Sequence, residues 1–325
     1  MNVRFSIIVP LYNKAPYVRK ALESIVNQTF RDYEVIIVND GSTDNSLDVI
    51  NELFERFKIL DFRFKLLNQE NAGVAAARNN GVAASEGEYV CFLDADDWWE
   101  PTFLEEMDKL IEEYPEAGLY ATNYVYYKPG KTRVMLDIQR GYINYQEEYI
   151  KNGAMPVTSI TTCMPRKVFD EMGGFPLGIK LGEDFLLWAK TALHYKVAFC
   201  EKPLAYYNND VPASLRATRN LHKPEYHMLF NLEEIERELR AKSEEVRAEW
   251  KALLDKLRVS GLMEYWLEEQ YHDAAAEELN KVDWTKQPNS VKALYDKPIW
   301  LLKAYRCFMH IASYCKQKII RILTK

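Results

Sequence analysis

Three carboxylates, Asp94, Asp96 and Asp97, fall within four consecutive positions directly after the apolar run Tyr89-Val90-Cys91-Phe92-Leu93. Ionised carboxylates this close repel one another and are costly to bury without compensation, so a positive charge is expected beside them. No His or Cys accompanies them. The donor set is therefore all oxygen, which suits Mg²⁺ or Mn²⁺ better than zinc. A solvated loop, or a helix N-cap before Pro101, accounts for one of the three acids but not for all of them. A second acidic pair, Glu183-Asp184, opens an amphipathic stretch after Leu181-Gly182. Stabilisation by a helix dipole explains that pair at least as well as catalysis does.

The elements that must position these groups alternate. Phe5 to Val9 and Glu34 to Val38 read as buried strands, Phe64 to Leu67 as a weaker one, and Tyr89 to Leu93 as a fourth. Between them, Val18, Ala21, Leu22 and Ile25 mark one helix face; Asn45 to Arg56 forms a second helix, and an Ala-rich third follows Asn71-Ala72-Gly73. Such alternation predicts β-α-β units and a largely parallel sheet, whose ligands bind beyond the carboxyl ends of the strands. The loop Pro10 to Lys14, Asp40, and Asp94 to Asp97 then share one rim. No glycine fingerprint of the dinucleotide-binding or P-loop type is present. Further on, a helix is expected from Pro101 to Glu113 and an aromatic strand from Gly118 to Tyr127, while Gly141 to Pro165 shows no clear pattern and is expected to include surface loops.

The 325 residues are 28% charged and 48% hydrophobic, ordinary globular values that allow a large core. A net charge of −6 argues against general nucleic-acid binding. The five cysteines are scattered without a C-x-x-C pair, which fits a reducing, cytoplasmic setting. Neither a signal peptide nor a membrane span is expected. From about Leu221 the composition turns to Glu, Lys, Arg and Leu, predicting a helical extension over 221–325 behind a main domain of 1–220. Residues 297–325 carry no acid, and Lys303, Arg306, Lys316, Lys318, Arg321 and Lys325 alternate with apolar side chains. A helix of that kind either lies on an anionic membrane surface as a peripheral contact or docks on the protein with a solvated basic face.

Six segments occur together and in order: Ile8-Val9-Pro10-Leu11-Tyr12-Asn13, Asn39-Asp40-Gly41-Ser42-Thr43-Asp44, Asn71-Ala72-Gly73 with Ala77-Arg78-Asn79, Leu93-Asp94-Ala95-Asp96-Asp97, Gly173-Gly174-Phe175, and Glu183-Asp184 with Trp188. On these the chain resembles the family 2 glycosyltransferases of the GT-A fold over roughly residues 5–210. The resemblance implies an α/β, Rossmann-like, mostly parallel sheet flanked by helices, with 1–98 as the donor-binding half and 99–220 as the acceptor half. It implies inverting transfer of a sugar from a nucleoside-diphosphate donor, a UDP-sugar by preference, to a saccharide or lipid-linked saccharide hydroxyl in surface polysaccharide synthesis, with Mn²⁺ or Mg²⁺. Carried over residue by residue, Pro10 and Tyr12 line the base pocket and Asp40 accepts the N–H of the base. Arg78 sits near base and diphosphate, and Asp94 faces ribose and diphosphate. Leu11, Asn13, Gly73 and Ala95 complete the donor side. Asp96 holds the metal with Asn209 as a further oxygen donor. Asp184 is the implied general base, with Glu183 the alternative.

The resemblance has two departures. Asn39 stands where many members have Asp, and Tyr206-Tyr207-Asn208-Asn209 replaces an Arg and a His. Two other functions compete: a sugar nucleotidyltransferase, for which Pro10 to Asn13 lacks the expected basic phosphate loop, and a non-catalytic carbohydrate-binding or scaffold protein of the same fold. Tyr142, Tyr145 and Tyr149 could stack on sugar rings, though aromatics at this spacing more often pack.

Overall fold

In a computed structural model, residues 3–58, 63–212 and 220–304 are described. The chain divides into two compact units, Met1–Glu249 and Trp250–Lys325. The composition shift near Leu221 thus precedes the division by almost thirty residues.

The first unit is built on one mixed sheet. Strands β1 (Phe5–Leu11) and β2 (Tyr33–Asp40) are buried along their whole length, as continuous apolar runs in a sheet covered on both faces must be. They are joined through α1 (Val18–Val26), which buries Val18, Ala21, Leu22 and Ile25, the expected face. Helix α2 (Ser46–Lys58) leads to β3 (Phe64–Gln69), and α3 (Val74–Ala83) leads to β4 (Tyr89–Phe92). The parallel order β3-β2-β1-β4 brings the carboxyl ends of β1, β2 and β4 to one edge. Pro10 and Leu11 belong to β1, where they pair with Val38 and Asn39, and the loop begins only at Tyr12.

The second half of the sheet follows a two-residue strand, β5 (Trp98–Trp99), and α4 (Phe103–Glu113). The aromatic strand β6 (Ala117–Lys128) turns into β7 (Lys131–Val134). Residues 141–165, whose pattern shows no clear element, hold β8 (Gly141–Ile143), α5 (Tyr145–Asn152) and β9 (Thr162–Pro165) between stretches of loop. Strand β9 is fully buried and antiparallel to both β4 and β6. Four residues closed by a proline carry no periodicity, so only pairing on both edges reveals this strand. Helices α6 (Arg166–Met172) and α7 (Glu183–His194) precede β10 (Lys196–Asn208), which runs parallel to β6 and antiparallel to β5 and β8. The result is a mixed, mostly parallel α/β sheet flanked by helices, with β9 antiparallel at its middle. Helix α8 (Glu233–Leu239) follows β10 within the same unit.

Beyond it, helix α9 (Glu244–Gly261) carries the chain into the second unit, which is helical: α10 (Met263–Leu267), α11 (His272–Leu279) and α12 (Asn289–Tyr295) follow. Trp250, Leu253, Leu254, Leu262 and Tyr265 form its core around a buried Arg258–Glu278 ion pair of 3.0 Å. Among the described residues no helix is long and apolar enough to cross a membrane. Most of the basic stretch 297–325, from residue 305 onward, lies outside the described residues.

Gly87 shows how closely the elements approach. A Cβ there would lie 2.6 Å from the backbone nitrogen of Ser6 and 2.8 Å from the carbonyl carbon of Phe5, both in β1. Gly87→Ala is expected to lower stability by about 1–3 kcal/mol, since buried backbone cannot yield as a side-chain end can. A reduced denaturant midpoint at unchanged slope is the expected outcome; an unchanged midpoint would show that β1 gives way here.

Candidate active site

The rim begins as loops that bind one another. Asn13 adopts a left-handed backbone (φ 52°), which Asn tolerates better than most residues. Its Oδ1 accepts the backbone N–H of Thr43 at 2.8 Å and of Asp44 at 3.2 Å, and its own N–H donates to Ser42 Oγ. Asp40, buried at the end of β2, accepts from the backbone N–H groups of Ala72 (2.8 Å) and Gly73 (2.9 Å) and from Gln69 Nε2 (2.7 Å). A carboxylate offers about four lone-pair directions, so three of Asp40's are already taken, two by the turn that starts α3 and one by Gln69 at the end of β3. Tyr12 stands 47% exposed above these loops, whereas the side chain of Leu11 is in the core.

The acids after β4 diverge. Arg78, on α3 and 3% exposed, donates from Nη2 to Asp94 Oδ1 and from Nη1 to Glu183 Oε1, each at 2.7 Å. Its Nε is buried without a hydrogen-bond partner. Asp96 Oδ2 accepts from Lys14 Nζ at 2.5 Å. Burial pushes the Asp96 carboxyl up, and Lys14 opposes the shift. Asp97 turns inward to accept the backbone N–H of Asn208 at 2.7 Å. Burial, then the charges of Asp96 and Asp94, raise its carboxyl well above the usual range.

Asp184 lies in the first turn of α7 beside buried Glu183. Its Oδ1 accepts its neighbour Phe185's N–H at 2.8 Å, and Ser159 Oγ approaches Oδ2 at 3.5 Å. Burial first, then the charge of Glu183, push the Asp184 carboxyl up to about 7 against the pull of Arg78. The Asp184 charge in turn acts with burial to raise Tyr124 to about 12, and it raises Tyr149 as well. Tyr145 is buried and packs, while Tyr142 is exposed with its ring edge-on to Tyr114.

Supporting residues hold this cluster. Asn79 clamps the backbone of Phe175, donating to its carbonyl (2.8 Å) and accepting its N–H (2.9 Å). The preceding Gly174 has φ 72°, and a Cβ on it would lie 2.8 Å from Asn79 Oδ1. The clamp sets the Phe175 ring 5.1 Å from the Arg78 guanidinium and edge-on to Phe92 and Trp188. Trp98 stacks on Tyr206 at the other end of the motif, with Lys20 over its face at 3.0 Å.

Arg78, Asp94, Glu183 and Asp184 thus form one electrostatic cluster, and Asp96 and Asp97 adjoin it through Asp94. Asp40 and Asn13 serve the neighbouring loops. Asn209 follows Asn208 at the end of β10, its backbone N–H on Tyr127. Lys14 and Ser159 were not singled out in the sequence. Only the demand for a cation beside the acids pointed toward Lys14. Among the described residues no three His, Cys, Asp or Glu side chains gather as a metal cage. A hard cation that keeps waters and substrate phosphate oxygens as ligands needs only one or two carboxylates. Asp96, already paired with a cationic nitrogen at 2.5 Å, fits that requirement.

The model of the family described as glycosyl transferase family 2 matches residues 6–173. Glycosyltransferase GlyA of Streptococcus pneumoniae is 34% identical over 218 residues, covering 63% of this chain and 30% of GlyA. The chain spans less than half the length of the curated relatives it matches. In fold it is similar to TarS 1–349 of S. aureus in complex with UDP-GlcNAc (TM-score 0.69, 20% identity, 90% of this chain and 83% of that one). It is also similar to the mannosyltransferase PcManGT of Pyrobaculum calidifontis in complex with GDP-Man and Mn²⁺ (TM-score 0.58, 20% identity, 97% and 85%).

The raised Asp184 carboxyl has a consequence for stability. Below about pH 4 the group is protonated in folded and unfolded chains alike; between there and about 7 only the unfolded chain ionises, so folding loses free energy as pH rises. Asp184→Asn is therefore expected to stabilise the protein at pH 8 by roughly 2–4 kcal/mol and by little at pH 4. Chemical denaturation of both proteins at the two pH values tests this; a stability difference that does not grow with pH would refute it.

Proposed function

The chain belongs to glycosyl transferase family 2, and from that premise we propose that it moves a sugar from a nucleoside-diphosphate donor to an acceptor hydroxyl in a single inverting displacement. The observation that carries the reading is the cluster built on Arg78. It joins the acids after β4, on the side assigned to the donor diphosphate, to Glu183-Asp184, on the side assigned to the acceptor. The complexes of TarS with UDP-GlcNAc and of PcManGT with GDP-Man and Mn²⁺ support a nucleotide-sugar donor and a divalent cation.

In this reading Asp184 is the general base and Glu183 its support. Glu183 is buried and ion-paired to Arg78, so its charge is committed. Asp184 is partly exposed and bonded only weakly through Oδ2. A carboxylate poised at about 7 is matched to taking a proton near neutral pH. It removes the acceptor hydroxyl's proton as the oxygen attacks the anomeric carbon, while the bond to the diphosphate breaks on the opposite face. With no enzyme nucleophile there is one displacement, hence inversion. Asp96, with Asn209 as a candidate second donor, holds the Mn²⁺ or Mg²⁺. Bound there, such an ion supplies Lewis-acid stabilisation of the charge on the leaving diphosphate. Tyr12 packs on the base, and Asp40's remaining lone pair receives its N–H. Tyr124 and Tyr149, within electrostatic reach of Asp184, flank the entry of a saccharide acceptor of the kind used in surface polysaccharide assembly.

Asp184→Asn should lower kcat by about 10²–10⁴-fold while leaving the donor's dissociation constant close to wild type. The wild-type log kcat/KM should climb with pH and level off at or near pH 7, the acid limb vanishing in the variant. Wild-type turnover in Asp184→Asn would remove it as the base. A thermal-shift panel of nucleotide sugars with Mn²⁺ should single out one donor, because specific binding raises Tm. Release of the nucleoside diphosphate, not pyrophosphate, should accompany product. No shift and no donor turnover across UDP-, GDP- and CMP-sugars would overturn the assignment.

A further inference from the structure

We propose that the helical unit Trp250–Lys325 holds a saccharide-binding site of its own: a cleft walled by Trp266, Trp284 and Tyr295 and rimmed by Asn280, Lys292 and Asp296. The cleft is about 190 Å³, smaller than the roughly 300–1,000 Å³ that drug-sized ligands fill. Its occupant is therefore a single ring, one pyranose residue of a glycan. The inference concerns this unit alone and is independent of the base, metal and donor assignments above.

The rings are fixed in place before any ligand arrives. Tyr295, on α12, is buried, and its hydroxyl donates to the Val259 carbonyl at 2.7 Å. Trp266, on α10, and Trp284, in the turn before α12, pack edge to face on Tyr295, with centroids 5.6 and 5.5 Å away. His272 covers Trp266 at 4.0 Å, and the Trp284 indole N–H donates to the Leu279 carbonyl at 3.3 Å. Both indoles are half-buried, which leaves part of each ring to the cleft. Trp266 Nε1 is buried without a partner, a cost that Phe at the same position would not carry. The polar rim is unspent. Asn280 and Asp296 cap α11 and α12, and Lys292 stands four residues before Asp296 on the same helix face. Among the described residues these three side chains form no ion pair and no hydrogen bond.

Aromatic walls with a few convergent hydrogen-bonding groups make a small-molecule cleft, and a pyranose matches both parts. Its C–H face lies on indole while its hydroxyls meet amide, ammonium and carboxylate. Aromatic rings also attract organic cations. Here Lys292 at the rim opposes a cation, and the rings pack on one another instead of surrounding a centre. Membership of a glycosyl transferase family makes glycan the occupant at hand.

The test is ¹⁹F NMR of the full chain labelled with 5-fluorotryptophan, without donor or metal, the Trp266 and Trp284 signals being assigned by Phe substitution. Cellobiose, lactose, diacetylchitobiose and mannobiose are the probes, each at about 10 mM, which fills about nine-tenths of a site with a Kd of about 1 mM. At least one should shift both signals with a common Kd. Trp284→Ala should abolish that binding. Asn280→Ala and Asp296→Ala, both at exposed positions, should each weaken it about two- to tenfold, as loss of one hydrogen bond does. Unchanged affinity in both exposed-site variants would overturn the site, even if Trp284→Ala misfolds. Silence of both signals with every sugar would overturn it too, and a shift with tetramethylammonium alone would replace the saccharide by a cation.

Discussion

One guanidinium holds the candidate site together. Arg78 reaches Asp94 on one side and Glu183, 105 positions further along the chain, on the other. Burying Arg78 and Glu183 is expensive, and such a network persists only where the geometry is good and the polar atoms find partners. Here two nitrogens make short charge-assisted bonds and the third is left unpaired. Loss of Arg78 would strand the buried carboxylate of Glu183, a disruption on the order of 3–5 kcal/mol. The same contact joins the half of the unit that carries the rim loops to α7, beside the β4–β9 pairing and the Asn79–Phe175 clamp.

Around that link the acids divide their labour according to burial. Asp97 and Asp40 are nearly inaccessible and spend their oxygens on backbone N–H groups of β10 and of the turn before α3. Glu183 is committed to Arg78. Asp94, Asp96 and Asp184 keep more exposure, and Asp184 titrates in the neutral range because burial and Glu183 outweigh Arg78. Raised carboxyls beside a fixed cation are what a proton-accepting site needs, and they oppose stability at high pH.

The glycine- and asparagine-rich segments act mainly as carpentry. Asn13 joins two rim loops, and Asn79 with Gly174 fixes Phe175 against Arg78. These polar side chains look functional in the sequence because they lie next to acids. Their hydrogen bonds go largely to the backbone, which sets the loops at the ends of β1, β2 and β4.

Much of the architecture was legible in the sequence. Continuous apolar runs marked β1, β2 and β4, the spacing of Val18, Ala21, Leu22 and Ile25 marked α1, and their alternation implied a parallel sheet with a polar rim. Strand β9 was not legible, since four residues without periodicity become a strand only through partners on both sides. The cluster of acids and its need for a positive charge could be read from charge alone. Which cations answer that need, and which acids turn inward, could not. Local propensity and periodicity act over a few residues, whereas Lys14 meets Asp96 across 82 positions and Arg78 meets Glu183 across 105. Residue order alone therefore determined the strands, the helices and the chemistry on offer. Only the packed sheet, by closing those distances and withdrawing water from some carboxylates but not others, decided which groups pair, which stay poised and which merely hold the frame.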